Sequence, residues 1–286
     1  MRELRFITYL SPSIPRALFE AVTHHARRTL GYARVSLLSE TRVSGPEKGG
    51  YDPFSDDKAD VGFLCSPSYV WLRGLVHPPV ELLGAAPVFE DDRARGRPVY
   101  FCDVVARREG SVRSFGDLEG RSWAYNDACS LSGYHSLLGK LAEVGADGRF
   151  FGRLVHSGSH LKSLEAILRD EVDAAAIDSN VLGMLFREDP TLRRRLRVIE
   201  SWGPFPIQPV VVRSALRPDL KERLRACLLE ADSDPRFRHA VSRFGLRRFA
   251  PVSHDDYSPG LPALVAYKAE LDRPSPPGHP LLPTEA

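Results

Sequence analysis

The sequence predicts an α/β fold of two lobes with a ligand cleft between them. Three observations carry that reading. Strand-like and helix-like patterns alternate along most of the 286 residues, the order that builds parallel sheets covered by helices on both faces. The pattern restarts after about residue 102, which implies two blocks. Junctions near 96–102 ("RGRPVYFC") and 202–209 ("WGPFPIQP") give two crossings, so the tail returns to the first block. Residues 1–98 and 210–272 are thus expected to form one lobe, 103–203 the other, and 273–286 a frayed Pro-rich tail. In such a clam-shell the ligand sits between the lobes, at the carboxyl ends of the strands.

The elements follow in order. "LRFITYL" (4–10) reads as a strand, and the Ser-Pro of "SPSIPRALFEAVTHHARRTL" opens a helix. "ARVSLLSE" (33–40) is the next strand. A polar, Gly-rich loop (44–58) leads to "ADVGFLCS" (59–66), a short apolar run of the kind buried in parallel sheets. "SPSYVWLRGL" opens a helix, and "VELLGAAPVF" and "RPVYFCDVVARR" are strands. In the second block, "SFGDLEGRSWAYN" gives a short helix and a strand, and "SLSGYHSLLGKLAEVG" a helix ended by Gly145. "RFFGRLVHSG", "VDAAAIDS", "LRVIESWG" and "IQPVVVRS" are strands, with "HLKSLEAILRDE" and "VLGMLFRED" as helices between them. "RPDLKERLRACLLEA", "DPRFRHAVSRFG" and "DDYSPGLPALVAYKAEL" are three closing helices.

Composition narrows the function. The 39 basic and 37 acidic residues leave a formal charge of +2, which gives no general reason to expect nucleic acid or an anionic membrane as partner. The densest basic run, "RRRLR" (193–197), reads as a solvated helix end. No stretch approaches the eighteen apolar residues of a membrane span. No cleavable leader is visible in "MRELRFITYL", so as written the chain is expected in the cytoplasm, and outside it or lipid-anchored only if a leader has been removed. Four dispersed cysteines without a CxxC pair argue against a disulfide framework and against structural zinc. No cofactor or metal is expected.

Chemistry concentrates in "WAYNDACSLSGYH" (123–135). Ser130 and Ser132 fall where a strand ends and a helix begins, and free N–H groups and the helix dipole there favour an anion. Gly133 lets backbone approach a ligand. Ser130 either touches ligand or only caps the helix. In "SGSH", His160 opens another helix beside Ser157 and Ser159. Asp178 closes the apolar strand "AAID", where burial without a partner would be costly; it either meets ligand or caps the next helix. Tyr9, Ser11, Cys65, Ser66, Ser68 and Tyr69 occupy strand-end turns of the first lobe. Lysine and arginine are sparse in these turns, which suits a small oxyanion or zwitterion held by neutral donors.

Several segments together resemble the phosphate, phosphite and phosphonate substrate-binding proteins of ABC transporters, a family with the type 2 periplasmic-binding-protein fold. They are "ADVGFLCSPSYV", "PVYFCDVVARREGSVRSFGDLEGRSWAYND", "SLSGYH", "SGSHLKSLEAILRDEVDAAAIDSNVL" and "GPFPIQPVVV", spread over about residues 59–213. The resemblance implies an oxyanion bound by Ser130, Ser132 and Gly133, with Tyr100 on the first crossing and His160; Tyr125, in the strand "SWAYN", is a further ligand-binding candidate. It implies hinge closure on the ligand and an ABC permease as partner. On the second crossing Gln208 stands where some relatives carry Asp. A neutral amide can donate or accept but cannot balance a ligand amine, which leaves Asp178 as the remaining acceptor.

Two rival readings keep the same fold. One is a cytosolic small-molecule sensor. The other is an enzyme, like the thiamine-pyrimidine and menaquinone-pathway proteins of similar fold, with His156, His160, Asp178, Tyr125 and the cleft cysteines Cys65, Cys102 and Cys129 as its acid, base or nucleophile. No G-x-S-x-G elbow, HExxH or Walker loop is present, and catalysis is not the expected role.

Overall fold

The computed structural model describes residues 3–258. The first sheet has the order β2-β1-β3-β11-β4, from β1 (Leu4–Thr8), β2 (Val35–Ser39), β3 (Val61–Phe63), β4 (Val80–Leu82) and β11 (Val210–Arg213). The second has the order β10-β6-β9-β7-β8, from β6 (Val99–Arg107), β7 (Ser122–Tyr125), β8 (Arg153–His156), β9 (Ala174–Asp178) and β10 (Leu196–Pro206). A two-stranded sheet joins β5 (Ala85–Phe89) to β12 (Leu246–Pro251). The helices are α1 (Arg16–Leu30), α2 (Ser66–Arg73), α3 (Ser136–Glu143), α4 (His160–Leu168), α5 (Ser179–Glu188), α6 (Leu192–Arg195), α7 (Pro218–Leu229) and α8 (Pro235–Ser242). The chain thus forms an α/β fold built on two five-stranded sheets.

Local sequence accounts for the elements that reach the cleft. In α1 the buried Leu18, Phe19, Val22, Ala26 and Leu30 recur at three- and four-residue spacing, and Gly31 ends the helix at φ 72°. Strand β9 is buried at every position, as a central strand between two helical layers must be. At both crossings the chain runs through adjacent strands: Tyr100 of β6 pairs with Phe205 of β10, and Val99 with Pro206. Two neighbouring connections of this kind make a natural hinge.

The sheets are mixed and not wholly parallel as the alternation predicted. Strand β11 runs antiparallel to β3 and β4, and β6 runs antiparallel to β9 and β10. The crossing strands enter each sheet from the far lobe, so their direction is set by the crossing and not by a βαβ turn. "VELLGAAPVF" is two strands, broken at Gly84 with φ 77°. Strand β12 was not foreseen. "RRRLR" is the end of α6 and the start of β10. The helix expected over 255–271 and the tail 273–286 lie outside the described residues, apart from a short turn at His254–Tyr257.

Candidate functional site

A polar cavity lies where the two sheets face each other. First-sheet turns supply Tyr9 to Ile14 after β1, Thr41, Val43 and Ser44 after β2, and Cys65 after β3. Gln208 enters just before β11, which starts beside the carboxyl end of β3. The second lobe supplies Asn126, Asp127, Ser130 and Ser132 after β7, Gly158 to His160 after β8, and Asp178 and Val181 after β9. No lysine or arginine lines it.

Three helical starts converge on this space. Ser130 caps a single wide turn, Leu131–His135, that leads into α3; its Oγ accepts from the Gly133 N–H at 3.1 Å. Ser159 caps α4, accepting from the Lys162 N–H at 3.2 Å. Asp178 caps α5, accepting from the Asn180 N–H at 2.9 Å. Such starts present positive potential to an anion. The Ser132 hydroxyl lies 3.1 Å from His160 Nε2, joining two of these starts.

Burial sets the charge states. His160 is pushed down to about 4, the Ala176 carbonyl only partly opposing burial, so the imidazole is neutral at physiological pH. Burial drives the Asp178 carboxyl up to about 7, against the pull of its bonds from Asn180 and Gln208. The Gln208 side-chain amide donates to Asp178 Oδ2. Asp178 therefore both caps a helix and faces the cavity, so the two readings of it coexist. Two residues of the cavity also carry unmet polar atoms: His160 Nδ1 and Gln208 Oε1 are buried without a partner in hydrogen-bond geometry among the described residues. Unmet groups of this kind are uncommon in folded proteins and point to something bound.

The sequence-predicted residues divide into two sets. Tyr9, Ser130, Ser132, His160, Asp178 and Gln208 line the cavity together. Ser66, Tyr69, Tyr100, Tyr125 and Gly133 do not. Ser66 is fully buried at the start of α2. Tyr69, one turn later, points away and places its hydroxyl 3.1 Å from His254 Nδ1. Tyr100 is completely buried on β6, with Ser132 near enough to act on its phenol but outside hydrogen-bond geometry. Tyr125 packs on Tyr134 and His156. Gly133 serves the protein's own packing: a Cβ there would sit 1.7 Å from Asn126 Oδ1.

Sequence reasoning passed over Ser13, Ser44, Asn126 and Asp127. The Ser13 hydroxyl accepts from the His160 backbone N–H at 3.1 Å, and Cys65 Sγ accepts from the Leu131 N–H at 3.2 Å, both across the cleft. The available signal was position, since "NDA" lies between the strand and helix that carry the serines. The cysteines are quiet. Burial raises Cys65 to about 12 and raises Cys102 and Cys129 as well, so all three are thiols. Among the described residues, no group of three or more His, Cys, Asp or Glu could hold a metal ion, and no helix is long and apolar enough to cross a membrane.

Two α/β sheets, paired crossing strands and a cleft lined by helix starts define the type 2 periplasmic-binding-protein class. Solved structures bear out the fold. A binding protein component of an ABC phosphonate transporter from Pseudomonas aeruginosa is 20% identical, with 93% of this chain and 86% of that chain covered and a TM-score of 0.78. PhnD1 from Prochlorococcus marinus, in complex with methylphosphonate, is 15% identical with 94% and 98% covered and a TM-score of 0.77. A Xanthomonas citri protein bound to ATP is 20% identical with 94% and 98% covered and a TM-score of 0.66. The chain belongs to the phosphonate-binding family described as "ABC transporter, phosphonate, periplasmic substrate-binding protein", whose profile matches residues 50–257.

Proposed function

We propose that the protein reversibly captures a small phosphorus oxyanion between its lobes and presents it to an ABC permease. The carrying observation is that Ser130, Ser132 and His160, at two neighbouring helical starts, meet the first-lobe turns in one buried cavity without lysine or arginine. Family membership supports a substrate-binding role, and the methylphosphonate complex of the Prochlorococcus relative supports the ligand class. The family description supports the periplasm as its compartment. The residues up to about 98 with those from about 210 move as one body in this reading, and 103–203 as the other.

The ligand is compact and free of amine. The lining offers hydroxyls, amides and carboxyls but no lysine or arginine to meet the several charges of a nucleotide. Asp178, the carboxylate that could pair an amine, is already engaged by Asn180 and Gln208. An enzymatic reading finds less support, because a protonated thiol is a weak nucleophile, burial keeps Cys65, Cys102 and Cys129 protonated, and of the three Cys65 alone is among the residues that line the cavity.

Isothermal calorimetry against phosphate, phosphite, methylphosphonate and aminoethylphosphonate tests this. At least one of the first three should bind below millimolar and more tightly than the amine. Ser132→Ala should weaken that binding by about 1–3 kcal/mol, the scale of one charge-assisted hydrogen bond. Tightest binding of aminoethylphosphonate, or no binding of any of the four, overturns the proposal.

A further inference from the structure

Asp127 is only 5% exposed, and His156 is near enough for its charge to act on the carboxylate. Its carboxylate is saturated by four donors. Oδ1 accepts from the Cys129 N–H at 2.9 Å and the Ser44 N–H at 3.1 Å. Oδ2 accepts from Asn126 Nδ2 at 2.9 Å and from the Ser44 hydroxyl at 2.5 Å. Two donors belong to the second lobe and two to one first-lobe residue. With its lone pairs filled, Asp127 has nothing left to offer a ligand, although it lines the cavity.

Ser44 is held in place for this contact. Its carbonyl accepts from the Cys65 N–H at 2.8 Å. The next residue, Gly45, is pressed against α2 so closely that a Cβ would lie 2.3 Å from Ser68 Oγ. On the other side, Asn126 joins Asp127 to the oxyanion turn: its Nδ2 bonds the carboxylate, and its Oδ1 fills the space left by the missing Cβ of Gly133.

We propose that Ser44 and Asp127 form an interlobe clasp that sets how fast captured ligand escapes, with both acting as positioning residues and not as ligand contacts. This rests on the hinge-closure reading above. While the lobes are closed, removing the Ser44 hydroxyl leaves a buried carboxylate oxygen short of a donor, which penalises the closed state. In the open state water replaces it, so encounter with ligand is untouched.

The test uses Ser44→Ala, with Ser44→Thr as the rescue that keeps a hydroxyl. Stopped-flow measurement with phosphate and methylphosphonate should show release about tenfold faster in S44A, the scale of one such hydrogen bond, with association unchanged and S44T restoring slow release. Hydrogen exchange of the ligand-free protein should show faster exchange over residues 124–131 in S44A, and near-wild-type exchange in S44T. Slower association with unchanged release would make Ser44 a ligand contact and overturn the clasp; so would unchanged exchange over 124–131. If neither oxyanion binds the wild-type protein, the proposed function fails, and the exchange experiment still decides the clasp.

Discussion

The two lobes make different contributions to one cavity. The second lobe supplies capped helical starts, in which Ser130, Ser159 and Asp178 are already bound to backbone N–H groups. The first lobe supplies turns, with Tyr9, Ser13, Thr41 and Ser44 reaching across from strand ends. On the function proposed above, the second lobe holds its donors in place before a ligand arrives, while the first acts as a cover whose contacts exist only when the lobes meet. In that reading gripping and covering fall to separate sequence segments. Substitutions in the second lobe should remove contacts to the ligand itself, whereas those in the first should weaken binding only through faster release, or leave it unchanged.

The largest effect is expected at Gly133. A methyl group there would lie 1.7 Å from Asn126 Oδ1 and 2.9 Å from its Cγ. Asn126 is buried and tied to Asp127, so it has little freedom to retreat. Gly133→Ala should therefore displace the turn that carries Ser130 and Ser132, with an overpacking penalty of about 1–3 kcal/mol in stability and loss of most oxyanion affinity. Calorimetry and urea unfolding check both. Undiminished affinity in this variant would mean that the second-lobe turn does not grip the ligand.

A second, smaller effect concerns two buried titrating groups of the second lobe. In the folded protein Asp178 sits at about 7, raised from 3.8 by burial, so between those values the folded state keeps a proton that the unfolded chain has lost. Its contribution makes stability fall as pH rises from about 4 to 7. His160 is lowered from 6.5 to about 4, and its contribution makes stability fall as pH drops across that window. The two oppose each other. Asp178→Asn removes the first and keeps the cap, since Asn caps as well as Asp. The variant should gain stability steadily from pH 4 to 6.5, and at pH 8 should exceed the wild type by about 1–3 kcal/mol. Urea unfolding across pH 4–8 measures this; a less stable variant at pH 8 contradicts it.

The site was legible in sequence where its chemistry is local. Ser130, Ser132 and His160 stand out because hydroxyls and an imidazole where a helix begins can both cap it and meet an anion. Asp127 was illegible because its meaning lies in Ser44, 83 residues earlier in the chain. Strand β12 was missed for the same kind of reason: its partner β5 is over 150 residues away, and "LRRFAP" has no alternation of its own. Tyr69 and Ser66 misled in another way. Both follow a strand end, but at the start of a helix direction depends on the turn, and α2 sends Tyr69 towards Tyr257 and His254.

That last residue gives the smallest predicted effect and the sharpest contrast with the second lobe. Tyr69 is 1% exposed, and its ring packs edge-on against Tyr257. Its hydroxyl meets His254 on the side of the first lobe away from the cavity. Tyr69→Phe keeps the ring and removes one hydrogen bond, so stability should fall by about 0.5–1.5 kcal/mol. Oxyanion affinity and release should both match the wild type, because nothing in the change touches the clasp or the helical starts. Measured beside Ser132→Ala, this variant separates an aromatic residue that builds the cover from a hydroxyl that grips. Weakened binding in Tyr69→Phe would mean that the first lobe transmits strain to the cavity, and the division between grip and cover would fail.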